Sequence, residues 1–177
     1  MKAKEYIDNR TRECCEKLGN IVGVTCTDEI DVNEMRVEKS SINGSLRELN
    51  TIKGLMQSDE NEMYNYLLGR LRFFTGQMDC MLTALNEKNE DDKQRLNHLL
   101  YASMYAGAFQ QVVEMIRIFV KEIPEELSEE IGKAVELDRQ IEIQKGISVF
   151  GEDEIEKMLN ISVPETIINN QFQWWKK

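Results

Sequence analysis

Residues 64–85, YNYLLGRLRFFTGQMDCMLTAL, carry an apolar side chain at every third or fourth position. Those positions are Tyr64, Leu67, Leu71, Phe74, Met78, Met81 and Leu85. Intervals that alternate between three and four residues place the side chains on one face of an α-helix, and they are typical of a helix packed lengthwise against another. The stretch therefore predicts one long helix of an antiparallel helical bundle.

A second stretch with the same spacing predicts the partner of this helix. Its apolar positions are Ala102, Tyr105, Phe109, Val112, Ile116, Phe119 and Ile123. A helix capped by Asp91 or Asp92 and ended by Pro124 would be about 48 Å long, which exceeds the width of a small domain. The bundle is thus expected to be elongated, or part of this helix packs on another subunit.

The rest of the chain predicts further main helices. One covers residues 2–18 and ends before a glycine, and the next begins at Asp31, which is a suitable N-cap. The apolar positions of that second helix recur every three or four residues, apart from two that are occupied by lysine, and are Val32, Met35, Ile42, Leu46, Leu49 and Met56. Residues 21–27 between them predict a loop. The last main helix follows Pro124 and ends near Gly146. Together these elements predict an all-α bundle of four to five main helices.

Small residues stand at two places inside these helices. Gly44 and Gly54 each weaken the second helix by roughly 1 kcal/mol. Ala, Ser and Gly also cluster at 102–108 in the fourth helix. Such a cluster packs against a bulky neighbour such as Phe73 or Phe74, lets another helix approach closely, or leaves a groove.

The C-terminal quarter predicts a separate appendage. We divide the chain into a helical bundle at 1–150 and a short helical appendage at 151–177 that docks on it and holds one or two short helices. A capping box at Ser162 begins an amphipathic helix that places Phe172, Trp174 and Trp175 on a wide apolar face. Since tryptophan is common at interface hot spots, we expect these three residues to bind a partner.

Charge and cysteine usage narrow the class of protein. Thirty-two acidic residues against 22 basic ones give a net charge of −10, which opposes non-specific binding to nucleic acid or anionic lipid and suits a basic partner surface. The apolar stretch 99–120 contains charged side chains, so a membrane span is not expected. The start of the chain lacks an apolar signal stretch, and we expect a cytoplasmic protein.

Residues that could carry chemistry form no recognisable pattern. Cys14, Cys15, Cys26 and Cys80 have no metal-binding spacing, and we expect them to be buried structural residues. The single histidine, His98, has no marked catalytic partner. We therefore expect no catalytic residue, no metal site and no cofactor.

Paired carboxylates raise one enzymatic alternative. All-α nucleotide pyrophosphatases hold magnesium with acids three residues apart on facing helices, and Glu126/Glu129 and Glu5/Asp8 have this spacing. The full pattern of four carboxylates is absent, and helix caps and first turns explain such pairs equally well. Phosphate-loop, dinucleotide and serine-hydrolase motifs are also absent from the sequence.

The sequence thus favours a non-catalytic acidic helical protein that binds and regulates or inhibits a macromolecular partner. Three alternatives stay open: an acidic decoy inhibitor of a nucleic-acid-binding protein, an all-α metal-dependent nucleotide hydrolase, and a DNA-binding regulator. The last rests on a superficial helix-turn-helix pattern in the C-terminal appendage, where Glu156 replaces the small residue that such units need. Direct nucleic-acid binding is not expected, and a homo-oligomer is compatible with every alternative.

Overall fold

The computed structural model describes residues 3–24, 29–56, 60–87 and 91–150, and this part of the chain is all-helical. Five helices pack against one another as a bundle, which confirms the predicted fold class. They are α1 (Ala3–Val22), α2 (Glu29–Leu55), α3 (Glu60–Leu85), α4 (Asp92–Phe119) and α5 (Glu125–Phe150).

Helix α4 lies at the centre of the bundle and contacts all four other helices. Its N-cap is Asp91, whose carboxylate accepts a hydrogen bond of 2.8 Å from the backbone N–H of Gln94, as predicted. Of the predicted apolar face, Ala102, Phe109, Val112 and Ile116 are buried, whereas Tyr105, Phe119 and Ile123 are only partly buried. Ser103, Gly107 and Gln111 are buried as well. These residues lie under α2, which covers a second face of α4.

Helix α4 is shorter than predicted. It ends at Phe119, and Val120 has extended backbone angles. Proline at position 124 disfavours a helical conformation at residue 123, and its ring would overlap the carbonyl group of residue 120 in a continuing helix. The helix therefore ends one turn before the proline, and its length is about 42 Å.

Two glycines that were expected to end helices lie inside them. Helix α1 continues through Gly19 to Val22, because Ile21 packs with Cys14 and Ile42 in a small apolar cluster. Helix α5 continues through Gly146 to Phe150, so the predicted end near Gly146 is wrong. Packing of a helical face outweighs the roughly 1 kcal/mol that an interior glycine costs.

The start and the apolar face of α2 also differ from the prediction. The helix begins at Glu29, two residues before the proposed cap at Asp31. Val32, which was expected on the buried face, is 40% exposed, whereas Leu49 and Ile52 are fully buried. The face of α2 that enters the core also carries Gly44, Ser45 and Glu48, so apolar spacing alone does not define it.

Helices α2 and α4 touch at the level of their backbones. A Cβ atom at Gly44 would lie 2.8 Å from the carbonyl carbon of Met104 and closer still to its oxygen. A Cβ atom at Gly107 would likewise lie 2.8 Å from the carbonyl carbon of Ser41. Distances under about 3 Å leave no room for a side chain, so glycine is required at both positions. The small-residue cluster of α4 therefore admits a neighbouring helix, which is one of the predicted alternatives.

Polar side chains join the helices around this contact. The hydroxyl of Ser45 donates to the carbonyl of Gly107 at 2.9 Å, and the amide of the buried Gln111 donates to Ser45 Oγ at 3.2 Å. The hydroxyl of Tyr6 in α1 donates to Gln111 Oε1 at 2.9 Å. Each hydrogen bond contributes about 1 kcal/mol, and together they connect α1, α2 and α4.

Candidate functional site

A cleft of about 380 Å³ opens between α2, α3 and α4, and we refer to it as the Arg70 cleft. It is lined by Gly44, Arg47, Glu48, Thr51, Arg70, Phe73, Phe74, Met104, Tyr105 and Ala108. The close approach of α2 and α4 at Gly44 brings these helices together at the cleft, and α3 supplies the arginine and the two phenylalanines.

The position of Arg70 is set by a buried carboxylate. The side chain of Glu48 is only 2% exposed, and it accepts hydrogen bonds from Arg70 Nη2 at 2.7 Å and from Nε at 3.1 Å. The hydroxyl of Tyr66 donates to the same carboxylate at 3.0 Å. Two contacts from one guanidinium to one carboxylate fix its orientation as well as its position.

These neighbours alter the ionisation of both donors. Burial, followed by the nearby negative charge of Glu48, raises the pKa of Tyr66 to about 12. Burial, the largest single effect, acts to lower the pKa of Arg70, but the hydrogen bonds to Glu48 and the negative charge of Glu48 together outweigh burial, and the pKa is raised. Arg70 is therefore charged and Tyr66 is neutral at every physiological pH.

Aromatic rings surround the fixed guanidinium. The Cζ atom of Arg70 lies 4.3 Å from the ring centre of Phe74 and 5.0 Å from that of Phe73, both within the range of cation–π attraction. Phe73 meets Tyr105 edge to face, with 6.2 Å between the ring centres. Phe74 is buried, but Phe73 is 46% exposed. A large aromatic surface is thus open to solvent beside a positive charge.

Two groups in the cleft are available to a ligand. The hydrogen bonds from Arg70 to Glu48 use Nε and Nη2, and no described residue bonds to its Nη1. Arg47 is exposed on α2, and within residues 29–56, 60–87 and 91–150 no carboxylate pairs with its side chain. The cleft therefore presents unpaired guanidinium N–H donors next to exposed aromatic carbon.

The side chains of the cleft are suited to binding rather than to bond making. Its lining contains no histidine or cysteine, and its one carboxylate, Glu48, is already bonded to Arg70 and Tyr66. Thr51 is the sole aliphatic hydroxyl, and it donates to the carbonyl of Arg47 rather than to a base. A hydroxyl acts as a nucleophile when a base lies beside it, and no base in this lining bonds to Thr51.

A second cleft, of about 540 Å³, lies between α1 and α4 and is lined by Tyr6, Asn9, Arg10, Glu13, Gln110, Gln111 and Glu114. Its charged groups are paired with neighbours: Arg10 with Glu13 at 2.8 Å, and Glu114 with Arg117 at 2.8 Å. Tyr6 is bonded to Gln111, and burial raises its pKa. This larger cleft offers mostly hydrogen-bonding groups that are already satisfied, so the Arg70 cleft is the better candidate.

Candidate metal-binding and reactive residues are dispersed. Within the described ranges, no three His, Cys, Asp or Glu side chains approach one another closely enough to hold a metal ion. Cys14 is buried as expected, but Cys15 and Cys80 are exposed, so the expectation of buried cysteines is wrong for these two. They lie on the outer faces of α1 and α3.

The three residues that were predicted to bind a partner lie outside the described residues. Phe172, Trp174 and Trp175 belong to segment 151–177, and their role stays a prediction. Cys26 also lies outside the described ranges.

The sequence contained one unused signal for the Arg70 cleft. Residues 63–78 and 93–113 contain no acid, although the chain has 32 acids in 177 residues. These two stretches form the parts of α3 and α4 that border the cleft. A scan for acid-free stretches in an acidic chain would have indicated this surface.

Comparison with known proteins adds no family to these observations. None of the helices within the described residues is long and apolar enough to cross a lipid bilayer. No family model, no curated protein and no solved structure matches the chain.

Proposed function

We propose that this chain is a non-catalytic binding protein that regulates another protein by docking on it through the Arg70 cleft. The observation that carries the proposal is Phe73, a large aromatic side chain that is 46% exposed beside the fixed guanidinium of Arg70. Burying such a ring on association releases apolar surface from water, which is the main favourable contribution in most protein interfaces.

The composition of the cleft supports a protein partner. Arginine, tyrosine, phenylalanine and methionine are enriched in protein interfaces relative to other surfaces, and Arg70, Phe73, Met104 and Tyr105 all line this cleft. Tyrosine and arginine are also enriched among the few residues that dominate binding energy. Three helices contribute to the cleft, so its shape depends on the folded bundle rather than on one mobile loop.

The absence of a catalytic pair in the cleft lining supports the regulatory part of the proposal. A protein that binds without making or breaking bonds acts by occupying a surface of its partner or by holding the partner in one conformation. Its effect then follows the stoichiometry of the complex. We expect inhibition or activation of the partner to saturate at one bound chain per site.

Affinity capture from lysate of the native host tests the proposal. We expect the wild-type chain to retain a partner protein in stoichiometric amount, and Phe73→Ser to lose it. Val22→Ser is the matched control, because Val22 is 70% exposed at the end of α1 and does not line the cleft. Retention of the same partner by Phe73→Ser would contradict the assignment of the cleft, and turnover of a nucleotide with magnesium or manganese would contradict the non-catalytic class.

A further inference from the structure

We propose that the Arg70 cleft binds an acidic segment of the partner protein, in which a carboxylate lies next to an aromatic or large aliphatic side chain. This inference rests on the proposed function and specifies the chemistry of the partner at the same site. It differs from what the net charge of the chain favours, namely a partner with a basic surface.

Acidic residues are scarce around the cleft. Residues 39–56 of α2, 63–78 of α3 and 93–113 of α4 contain a single acid, Glu48. At the frequency of 32 acids in 177 residues, stretches of this combined length would contain about ten. Because Glu48 is buried and bonded to Arg70, the solvent-facing part of the cleft carries only positive and neutral groups.

Two guanidinium groups in the cleft have N–H donors that a carboxylate could use. Glu48 occupies the Nε and Nη2 donors of Arg70, which leaves Nη1 without a bond from the described residues. Arg47 lies one residue before Glu48 in α2 and lines the same cleft. A carboxylate that enters the cleft can accept hydrogen bonds from Arg70 Nη1 and from Arg47, and both bonds would be charge-assisted.

An apolar surface lies in the same cleft as these donors. Phe73 and Tyr105 meet edge to face at 6.2 Å, and Met104 lines the cleft beside them. These side chains offer an apolar contact within the same cleft as the guanidinium donors. A free inorganic anion would leave this apolar surface exposed, whereas a peptide with an acid next to an aromatic or aliphatic residue would contact both parts.

The charge of the remaining surface makes the cleft selective. A chain with a net charge of −10 repels acidic segments over most of its surface. In the Arg70 cleft, three adjacent helices present no solvent-exposed acid, because Glu48 is buried. An acidic partner segment would therefore bind at the cleft and be rejected elsewhere, which is a combination of attraction and repulsion that specific interfaces use.

Selection from a display library of random peptides tests this inference without naming the partner in advance. The folded chain is the target, and the library holds peptides of random sequence and uniform length. We expect selected peptides to contain Asp or Glu within two positions of an aromatic or large aliphatic residue. Selected synthetic peptides should lose about tenfold or more in affinity when the acid is changed to its amide, as they should when the apolar residue is changed to Ser.

Two variants place the peptides in the cleft. Arg47→Glu and Phe73→Ser should each weaken binding of the selected peptides about tenfold or more. Arg12→Glu in α1 changes the net charge equally, and Val22→Ser removes an apolar group that is more exposed than Phe73. Neither substitution should change the affinity. Arg70 itself is left intact, because its removal would leave Glu48 buried without its partner and endanger the fold.

The inference is overturned if the selected peptides are basic or lack acids, if none can be selected, or if they bind Arg47→Glu as tightly as wild type. It is also overturned if a small aromatic carboxylate such as indole-3-acetate binds as tightly as the best peptide, since the cleft would then be a metabolite site. Capture of a host protein that depends on Phe73 but engages the cleft through a basic segment would keep the proposed function and refute this inference alone. Failure of the wild-type chain both to retain a host protein and to select any peptide would refute both.

Discussion

Replacing Gly107 by alanine should destabilise the protein, although the same change in most helices stabilises them. Gly107 lies inside α4, where alanine is favoured over glycine by about 1 kcal/mol. However, its Cβ atom would lie 2.8 Å from the carbonyl carbon of Ser41 and 2.9 Å from Ser41 Oγ. The backbone of α2 cannot rotate away as a side chain could, so the two helices must separate.

The expected size of the effect follows from three contributions. Overpacking of a tight contact costs about 1–3 kcal/mol. The carbonyl of Gly107 accepts a hydrogen bond from Ser45 of α2, and separation of the helices weakens this bond, which is worth about 1 kcal/mol. After subtraction of the helical preference for alanine, we expect a net loss of about 2 kcal/mol, or a Tm lower by about 4–8 °C.

Thermal and urea unfolding of two variants give the comparison. Gly76→Ala is the matched control, since Gly76 lies inside α3 and a Cβ atom there meets nothing within 4 Å. This control should gain about 1 kcal/mol, so the two substitutions should have opposite signs. A Gly107→Ala protein that is as stable as Gly76→Ala would refute the backbone contact between α2 and α4.

Three further substitutions test other contacts by urea unfolding. Glu48→Gln should lower the free energy of unfolding by about 2 kcal/mol, because it removes the negative charge that pairs with the half-buried guanidinium of Arg70. An unchanged urea midpoint would contradict this expectation. Burial raises the pKa of Asp138 from 3.8 to about 6, although a hydrogen bond from the side-chain amide of Gln110 opposes this rise. The folded state therefore binds the proton of this carboxyl more tightly than the unfolded chain does. The protein loses stability as the pH rises from about 4 to about 6. Asp138→Asn should therefore be more stable than wild type by about 3 kcal/mol at pH 8 and nearly equal to it below pH 4. Equal differences at both pH values would argue against a buried proton. Tyr6→Phe should lower the free energy of unfolding by about 1 kcal/mol, because it leaves the buried Gln111 without one donor. An unchanged free energy would mean that this hydrogen bond does not help to hold α1 on the bundle.

The sequence predicted those parts of the fold that depend on local periodicity. The apolar spacing of residues 64–85 predicted α3 because its buried face needs only side chains that recur every three or four residues. Asp91 was identified as a cap because a capping carboxylate acts on an N–H three residues away. Such features depend on neighbours in the chain, and the sequence contains them.

The features that were missed depend on residues distant in the chain. Gly44 was interpreted as a weak point of α2, but its role is set by Met104, which belongs to α4. The ion pair between Glu48 and Arg70 forms because α2 and α3 lie side by side, and the local sequence does not contain that arrangement. Glycines at the expected ends of α1 and α5 did not end these helices, because tertiary packing outweighs a small local preference.

The bonds that Glu48 makes to Arg70 have a consequence for the kinetics of association. A free arginine side chain samples many rotamers, and fixing it on binding costs about 0.5–1.5 kcal/mol. In this protein Glu48 and the two phenylalanine rings already hold the guanidinium before a partner arrives. The partner therefore meets a site whose central donor needs no rearrangement, and we expect binding to proceed in a single fast step without a slow conformational phase.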